Sequence, residues 1–242
     1  MEHGFKLFGY QHLATLAVLA LAGRIAIVAV RRAGVEGSRR VRVVIAVALA
    51  ASHASEWLVS WRMGWITLDI LPLQLCDWAA MLSIYGLLTL DRRAIEPLYF
   101  FALSGTLPAL LTPELSAGFP DFRFLNYFME HGLTVLAAVI LVPGLGVRPR
   151  PRAWLRAFAQ VNALAIVAAM VNLALGTNFM YLSHKPVDPT PFDWFGPWPW
   201  YLAVMEVLVL VIYWLLDLPL RLGSAARQAA AARVAGSASR AG

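Results

Sequence analysis

The chain has 242 residues, of which 60% are hydrophobic and only 14% are charged, and its formal net charge is +6. Because roughly a quarter of the residues in soluble domains are charged, this composition excludes an ordinary soluble domain and predicts a multi-pass membrane protein. The positive charges flank apolar runs and do not form one basic face, which argues against nucleic acid as a partner. Cys76 is the single cysteine, so an internal disulfide is excluded.

Apolar segments of about 20 residues, long enough to cross a ~30 Å hydrocarbon core, recur along the chain. They predict an all-α bundle of seven transmembrane helices, with a single domain at 1–222 and a basic, disordered tail at 223–242. The predicted helices are Tyr10–Val30, Val43–Trp61, Pro72–Leu90, Ile95–Leu111, Phe124–Val142, Ala153–Leu175 and Tyr201–Pro219. The basic segment 31–42 contains Gly34 and Gly37 and predicts a loop between the first two helices.

The distribution of positive charge predicts the orientation of the helices. Fourteen arginines lie in alternate connections and in the tail: Arg31, Arg32, Arg39, Arg40, Arg42, Arg92, Arg93, Arg148, Arg150, Arg152, Arg221, Arg227, Arg233 and Arg240. Four cations lie in the other connections and at the N-terminus: Lys6, Arg62, Arg123 and Lys185. Because cytoplasmic loops carry the excess of Lys and Arg, we expect a cytoplasmic C-terminus, an N-terminus outside, and a multi-pass location in the cell membrane.

Polar side chains recur at one predicted depth, in the outer half of several helices. Ionisable groups inside a membrane span are costly, so they are functional-site hypotheses by default. We therefore predict a cavity that opens toward the outer leaflet and binds substrate. Its predicted substrate-binding residues are His53, Glu56, Gln74, Asp77, Tyr127, Glu130, Thr134, Asn178 and Glu206.

His131 is the strongest candidate for a catalytic group. Tyr127 and Thr134, four residues before and three after, share its face of the fifth helix. An imidazole titrates near neutrality, which suits general acid and base catalysis.

Most of the other candidates also have a structural interpretation. His53 and Glu56 can form a pair within one helix, and Cys76 can pack as a small apolar side chain. Asp77 can stabilise the N-terminus of its helix, and Asn172 can join helices through hydrogen bonds.

The sequence predicts no metal site and no cofactor. His53, Glu56 and His131 together would offer three ligands, as in a catalytic zinc site, but no local motif supports such a site. The chain has no glycine-rich phosphate loop and no serine elbow.

Five motifs, in the same order, resemble the YwaF/TMEM164 family of bacterial and eukaryotic membrane proteins. They are LPLQLCDWA at Leu71–Ala79, GTLPALLTPEL at Gly105–Leu115, FPDFRFLNYFMEHG at Phe119–Gly132, GTNFMYLSHKP at Gly176–Pro186 and GPWPWY at Gly196–Tyr201. The resemblance implies a protein that acts on lipids. The eukaryotic branch is an acyltransferase with a cysteine nucleophile and a histidine on a later helix, and a related group of membrane hydrolases uses threonine with histidine.

The histidine of the family carries over to His131. The family's cysteine and the histidine after it fall on Leu73 and Gln74, so the nucleophile position is not matched. Cys76 lies three residues beyond Leu73, about one helical turn deeper, and is the candidate nucleophile that remains.

The leading hypothesis is a lipid acyltransferase or lipid hydrolase whose partners are membrane lipids and whose catalytic residues are His131 and Cys76. The alternative is a lipid- or small-molecule-binding membrane protein or transporter, favoured by a polar path that continues past Arg156, Gln160 and Asn162. A third hypothesis is an accessory subunit whose polar groups only join helices.

Overall fold

The computed structural model describes residues 4–186 and 190–238, with their side chains except those of 69, 191 and 224–238. These residues form seven main helices, of which six are long and apolar enough to cross a membrane, and no β-strand. The helices are α1 (Tyr10–Arg32), α2 (Gly34–Met63), α3 (Leu75–Thr89), α4 (Arg92–Leu111), α5 (Phe122–Gly144), α6 (Ala153–Leu175) and α7 (Trp200–Ala238). The predicted all-α transmembrane bundle is thus confirmed, while the orientation of the termini stays a prediction.

The predicted loop at 31–42 is wrong, because α2 begins at Gly34 and only Ala33 separates it from α1. Gly34 adopts φ +62°, a left-handed conformation that reverses the chain within a residue or two. Beyond it, Glu36 pairs with Arg40 one helical turn later, at 3.7 Å. Gly37 costs a helix only about 1 kcal/mol, which does not interrupt α2.

The last helix extends into the segment that the sequence assigned to a tail. The backbone of α7 is helical to Ala238. The division into a transmembrane domain at 1–222 and a disordered tail at 223–242 stays a prediction.

Helices α4 and α5 form the centre of the bundle. Of the most apolar stretch of each helix, 61% is buried in α4 and 56% in α5, against 6% in α1 and 17% in α7. The outer helices expose large apolar side chains such as Leu21, Ile166 and Leu173. An exposed apolar surface of this kind is suited to contact with lipid.

Helix α3 is the short member of the bundle, and it begins inside the predicted membrane depth. It has 15 residues, about 22 Å at 1.5 Å per residue, which is less than the ~30 Å hydrocarbon core. The segment before it is irregular apart from a 3-10 turn at Leu68–Ile70. Irregular backbone at this depth is tolerated where protein covers it or where it lines a polar cavity.

Helix α4 changes its hydrogen-bonding pattern halfway along. Residues Ala102–Thr106 are π-helical, and Pro108, two residues beyond this segment, has no N–H to donate. Single π-helical turns inside α-helices are frequent at functional sites. Gly105 lies so close to α3 that an added Cβ would meet Leu75 Cδ2 at 2.8 Å, so the π-helical turn of α4 packs tightly against the first turn of α3.

The two ends of the bundle are chemically different. At one end the N-terminal segment joins the connection between α4 and α5, where the Phe5 amide donates to the Ser116 carbonyl at 3.0 Å. At the other end Arg31 donates to the Pro143 carbonyl at 2.7 Å, and the basic connection around Arg150 packs there. The side chains predicted to form the site belong to the first of these ends.

Candidate functional site

Hydrogen-bonded polar side chains, here called the α2–α5 seam, join α2 to α5 in the half of the bundle nearer to the N-terminal segment. Ser52 donates a hydrogen bond to Asn126 Oδ1 at 2.6 Å, and Ser55 donates to the same oxygen at 3.3 Å. Ser52 and Asn126 are both buried. Hydrogen bonds between transmembrane helices fix their rotation relative to each other, so this seam sets which residues of α2 face α5.

One turn further along α5, three ionisable side chains meet. His53 and Glu56 come from α2, and Glu130 comes from α5; their nearest ligand atoms all lie within 4.8 Å of one another. His53 Nε2 is 3.4 Å from Glu130 Oε1. Glu130 is buried, His53 half-buried and Glu56 exposed. The cluster therefore has one member deep in the bundle and one that is accessible from outside it.

His131 lies outside this set of three but close enough to His53 to interact with it electrostatically, and its ring stacks on Tyr127. The two rings lie 4.1 Å apart at 19°, and His131 Nδ1 is 2.9 Å from the backbone oxygen of Tyr127. A carbonyl oxygen can only accept, so Nδ1 carries the proton and donates it. In the neutral ring, Nε2 is then left with a lone pair that can accept a proton.

Cys76 lies in the first turn of α3, beside the hydroxyl of Thr106 at the end of the π-helical turn. Its sulfur is also close to the Tyr127 phenol. Among the described residues no hydrogen bond joins Cys76 to His131. The two predicted catalytic residues therefore share Tyr127 as a neighbour without touching each other.

Asp77 fulfils the structural interpretation that the sequence suggested. Its Oδ2 accepts a hydrogen bond of 3.0 Å from the backbone N–H of Gln74, which closes the N-terminus of α3. The Gln74 side chain accepts a hydrogen bond of 2.8 Å from the Met180 amide. Asp77 is at the same time close enough to Glu56 and Glu130 to interact with their charges.

The connection between α6 and α7 packs over the site. Tyr181 donates a short hydrogen bond to Glu114 Oε2, and burial together with this carboxylate raises the pKa of Tyr181. Asn178 binds within the same connection, donating to the His184 carbonyl at 2.9 Å. The Asn178 side chain thus shapes this connection, while Tyr181 ties it to the connection after α4.

Thr134 and Glu206 occupy different environments. Thr134 is buried on α5, one turn beyond Glu130. Glu206 is exposed on α7, and its carboxylate is close enough to the Tyr213 hydroxyl to interact with it electrostatically. No described contact joins Glu206 to the cluster on α2 and α5, so the structure does not bring it together with the other predicted residues.

Several functional candidates were not singled out from the sequence. Ser52, Asn126 and Thr106 are small polar residues in apolar helices, and their partners lie on other helices. Asn126 stands four residues before Glu130 and Ser52 stands one before His53. That spacing is a signal for a shared face on α5, but it does not reveal which helix is opposite.

The polar path toward the other end is interrupted. Arg156 donates to Glu96 Oε2 at 3.0 Å, and Asn162 donates to the carbonyl of Phe158 in its own helix at 3.0 Å. Gln160 is exposed on the surface of α6. In the described part of the chain these groups serve local contacts, which gives the carrier hypothesis no specific support.

The comparison with protein families fits this architecture. The TMEM164 family model matches residues 7–217, from the segment before α1 into α7. The chain belongs to the TMEM164 family. The match includes every helix that contributes to the site, and it confirms the resemblance inferred from the motifs. No curated protein and no solved structure matches the chain.

Family membership and the apolar helices together establish a multi-pass membrane protein. The residues around His131, Cys76 and the carboxylate cluster are thus the polar interior of a TMEM164-family bundle.

Proposed function

We propose that this TMEM164-family protein transfers acyl groups of membrane lipids, with His131 as general base and Cys76 as nucleophile. The observation that carries the proposal is the fixed tautomer of His131. Its Nδ1–H is held by the Tyr127 carbonyl at 2.9 Å, so Nε2 is available to take a proton from a thiol or hydroxyl. We place this reaction in the outer half of the bilayer of the cell membrane.

The surroundings of Cys76 act on a thiolate in both directions. The N-terminus of α3, with its backbone N–H groups and helix dipole, favours negative charge on the sulfur, whereas burial and the nearby carboxyl groups of Asp77 and Glu130 disfavour it. The adjacent Thr106 hydroxyl can donate to the sulfur, and it is the second candidate nucleophile at this position. Tyr127 lies near the thiol and stacks on His131, and its hydroxyl donates a hydrogen bond to the Ala109 carbonyl at 2.8 Å.

The reaction needs a lipid ester as the acyl donor and a second lipid, or water, as the acceptor. With the Cys76 thiol brought into hydrogen-bond reach of His131, Nε2 takes the thiol proton, and the sulfur attacks the ester carbonyl of the donor lipid. The bond from that carbon to the alcohol oxygen breaks, and the alcohol leaves with the proton from His131. A second lipid hydroxyl, or water in the hydrolytic variant, then gives its proton to His131 and attacks the thioester, which releases the thiol.

Lipid profiles of cells that overproduce the chain test the proposal. The wild type is expected to change the distribution of acyl chains among lipid classes, and His131→Ala and Cys76→Ala are expected to abolish that change. Asn162→Ala is the matched control, because it removes a polar group from a membrane helix at the other end of the bundle. Equal amounts of folded protein are confirmed for each variant.

A trapping experiment separates the two nucleophiles. A thioester on Cys76 is cleaved by neutral hydroxylamine, whereas an oxygen ester on Thr106 resists it. Mass spectrometry of the His131→Gln variant after incubation with lipid vesicles is expected to show less acyl-Cys76 than the wild type. If cells with the His131→Ala variant showed the same lipid distribution as cells with the wild type, His131 would be removed from the mechanism.

A further inference from the structure

Three carboxyl groups converge between α2, α3 and α5, and in the described part of the chain the basic side chain paired with them is the imidazole of His53. The Glu56 and Glu130 carboxyl groups interact directly, and the other charged neighbour acting on Glu130 is Asp77, which is also acidic. Like charges at membrane depth repel strongly and are stabilised only by a proton or a cation. The site thus has the electrostatic character of a cation-binding site.

In the described part of the chain, two side chains point into this cluster and have no hydrogen-bond partner beyond it. The Glu130 side chain is 9% exposed, and within the described residues it receives no hydrogen bond from outside the cluster. His53 Nε2 is a buried atom with no hydrogen-bond partner, and its lone pair or N–H is directed at Glu130. Leaving a buried polar atom such as His53 Nε2 unsatisfied costs about 1–3 kcal/mol.

The spacing of the donor atoms matches metal coordination. Two ligands bound at about 2.1 Å to a tetrahedral ion are about 3.4 Å apart, and His53 Nε2 and Glu130 Oε1 are separated by 3.4 Å. The full set, with Glu56, lies within 4.8 Å. The Glu56 carboxylate therefore has to move by at most about 1.4 Å, an adjustment within the rotamer freedom of an exposed side chain.

We propose that His53, Glu56 and Glu130 bind one divalent first-row transition-metal ion, for which Zn²⁺ is the probe. Imidazole nitrogen combined with carboxylate oxygen suits ions such as zinc, whereas magnesium and calcium prefer oxygen alone. Two carboxylates neutralise the charge of the ion. Three protein ligands leave a fourth position open on the accessible side of Glu56.

The protein is organised to hold these ligands in place before an ion arrives. Ser52 precedes His53 and bonds to Asn126, which lies one turn before Glu130, so the α2–α5 seam fixes both ligand-bearing helices. His131 is not a member of this set, because the donor atoms that lie within 4.8 Å of one another are those of His53, Glu56 and Glu130. Two of the ligands, His53 and Glu56, are those that the sequence analysis considered for zinc. Glu130 takes the third position, which the sequence analysis gave to His131.

Metal binding to the full chain in phospholipid nanodiscs tests the proposal. The protein is stripped with a chelator, titrated with Zn²⁺ by calorimetry and analysed by elemental mass spectrometry, with excess Mg²⁺ present. One zinc per chain is expected. His53→Ala and Glu56→Gln are each expected to weaken Zn²⁺ binding by more than roughly a hundredfold, the upper range for loss of an outer-shell partner alone.

Glu36→Gln and His184→Ala are the matched controls, because they remove the same functional groups from exposed positions and should leave zinc binding unchanged. Glu130→Gln conserves the shape of the buried side chain and is expected to abolish binding of the single zinc ion. Its folding is checked by comparing its thermal midpoint with that of the stripped wild type. Retention of stoichiometric zinc in Glu130→Gln, or its absence in the wild type, would overturn the proposal. Because binding is measured, the result does not depend on acyl transfer.

Discussion

Ser52 on α2 donates a hydrogen bond of 2.6 Å to Asn126 on α5, and both residues are buried. This bond lies directly beside His53 and one turn from Glu130, which are 3.4 Å apart. The rotation of α2 against α5 is therefore coupled to the geometry of the ionisable cluster. Any change that loosens the seam should also disturb the cluster.

The first prediction concerns this seam. Asn126→Leu is expected to lower the free energy of unfolding by about 1 kcal/mol, within the range measured for hydrogen bonds between transmembrane helices. The measurement is reversible unfolding in bicelles. Asn162→Leu is the control, because the Asn162 amide bonds to Phe158 in its own helix and joins no second helix. Equal losses in the two variants would contradict an interhelical role for Asn126.

The second prediction concerns the close approach of α1 and α5 at Gly132. A Cβ at this position would meet Leu19 Cδ2 at 2.5 Å, whereas a Cβ at Gly23 would meet Leu136 Cδ1 at an ordinary 3.8 Å. Alanine in place of glycine favours a helix by about 1 kcal/mol, so Gly23→Ala is expected to stabilise the protein. Gly132→Ala is expected to be destabilising by about 1 kcal/mol, because overpacking outweighs helix propensity. Thermal midpoints in detergent compare the two.

A second substitution distinguishes overpacking from other effects at Gly132. Leu19→Ala creates space for the new methyl group, so the cost of Gly132→Ala should disappear in that background. If the cost persists, the contact with Leu19 is not its origin.

The third prediction concerns the other end of the bundle. Glu96 is 3% exposed and accepts hydrogen bonds from Arg150 at 2.7 Å and from Arg156 at 3.0 Å. Glu96→Gln removes the charge that these guanidinium groups share and is expected to cost about 2 kcal/mol of unfolding free energy. The pair between Asp121 and Arg123 is exposed. Asp121→Asn should therefore have no measurable effect on unfolding.

The fourth prediction concerns the connection that covers the site. Gln74 accepts a hydrogen bond from the Met180 amide at 2.8 Å, so Gln74→Leu should accelerate hydrogen exchange at Met180 by roughly fivefold, the equivalent of about 1 kcal/mol. Gln11 accepts from the Phe119 amide at 3.2 Å in a different connection. Gln11→Leu should accelerate exchange at Phe119 and leave Met180 unchanged. The reverse pattern, measured by mass spectrometry, would contradict these assignments.

The helices were predictable because their cause is local. A run of about 20 apolar residues has to satisfy its backbone hydrogen bonds internally when it crosses a bilayer, and a helix does so. The boundaries differ where a single residue decides, as at Gly34, whose positive φ allows α2 to begin within the segment predicted as a loop. Because an ionisable group in a membrane helix is costly, the sequence also indicated His53, Glu130 and His131 as candidate site residues.

The sequence by itself determined which residues share a helix face, because the periodicity of 3.6 residues places His53 with Glu56 and Tyr127 with His131. Only the tertiary structure decided which faces meet. Glu130 joins His53, and Thr106 reaches Cys76 through the π-helical turn of α4. The physical reason is that the rotation of one helix against another depends on contacts distant in sequence, such as the Ser52–Asn126 bond. No local pattern encodes those contacts.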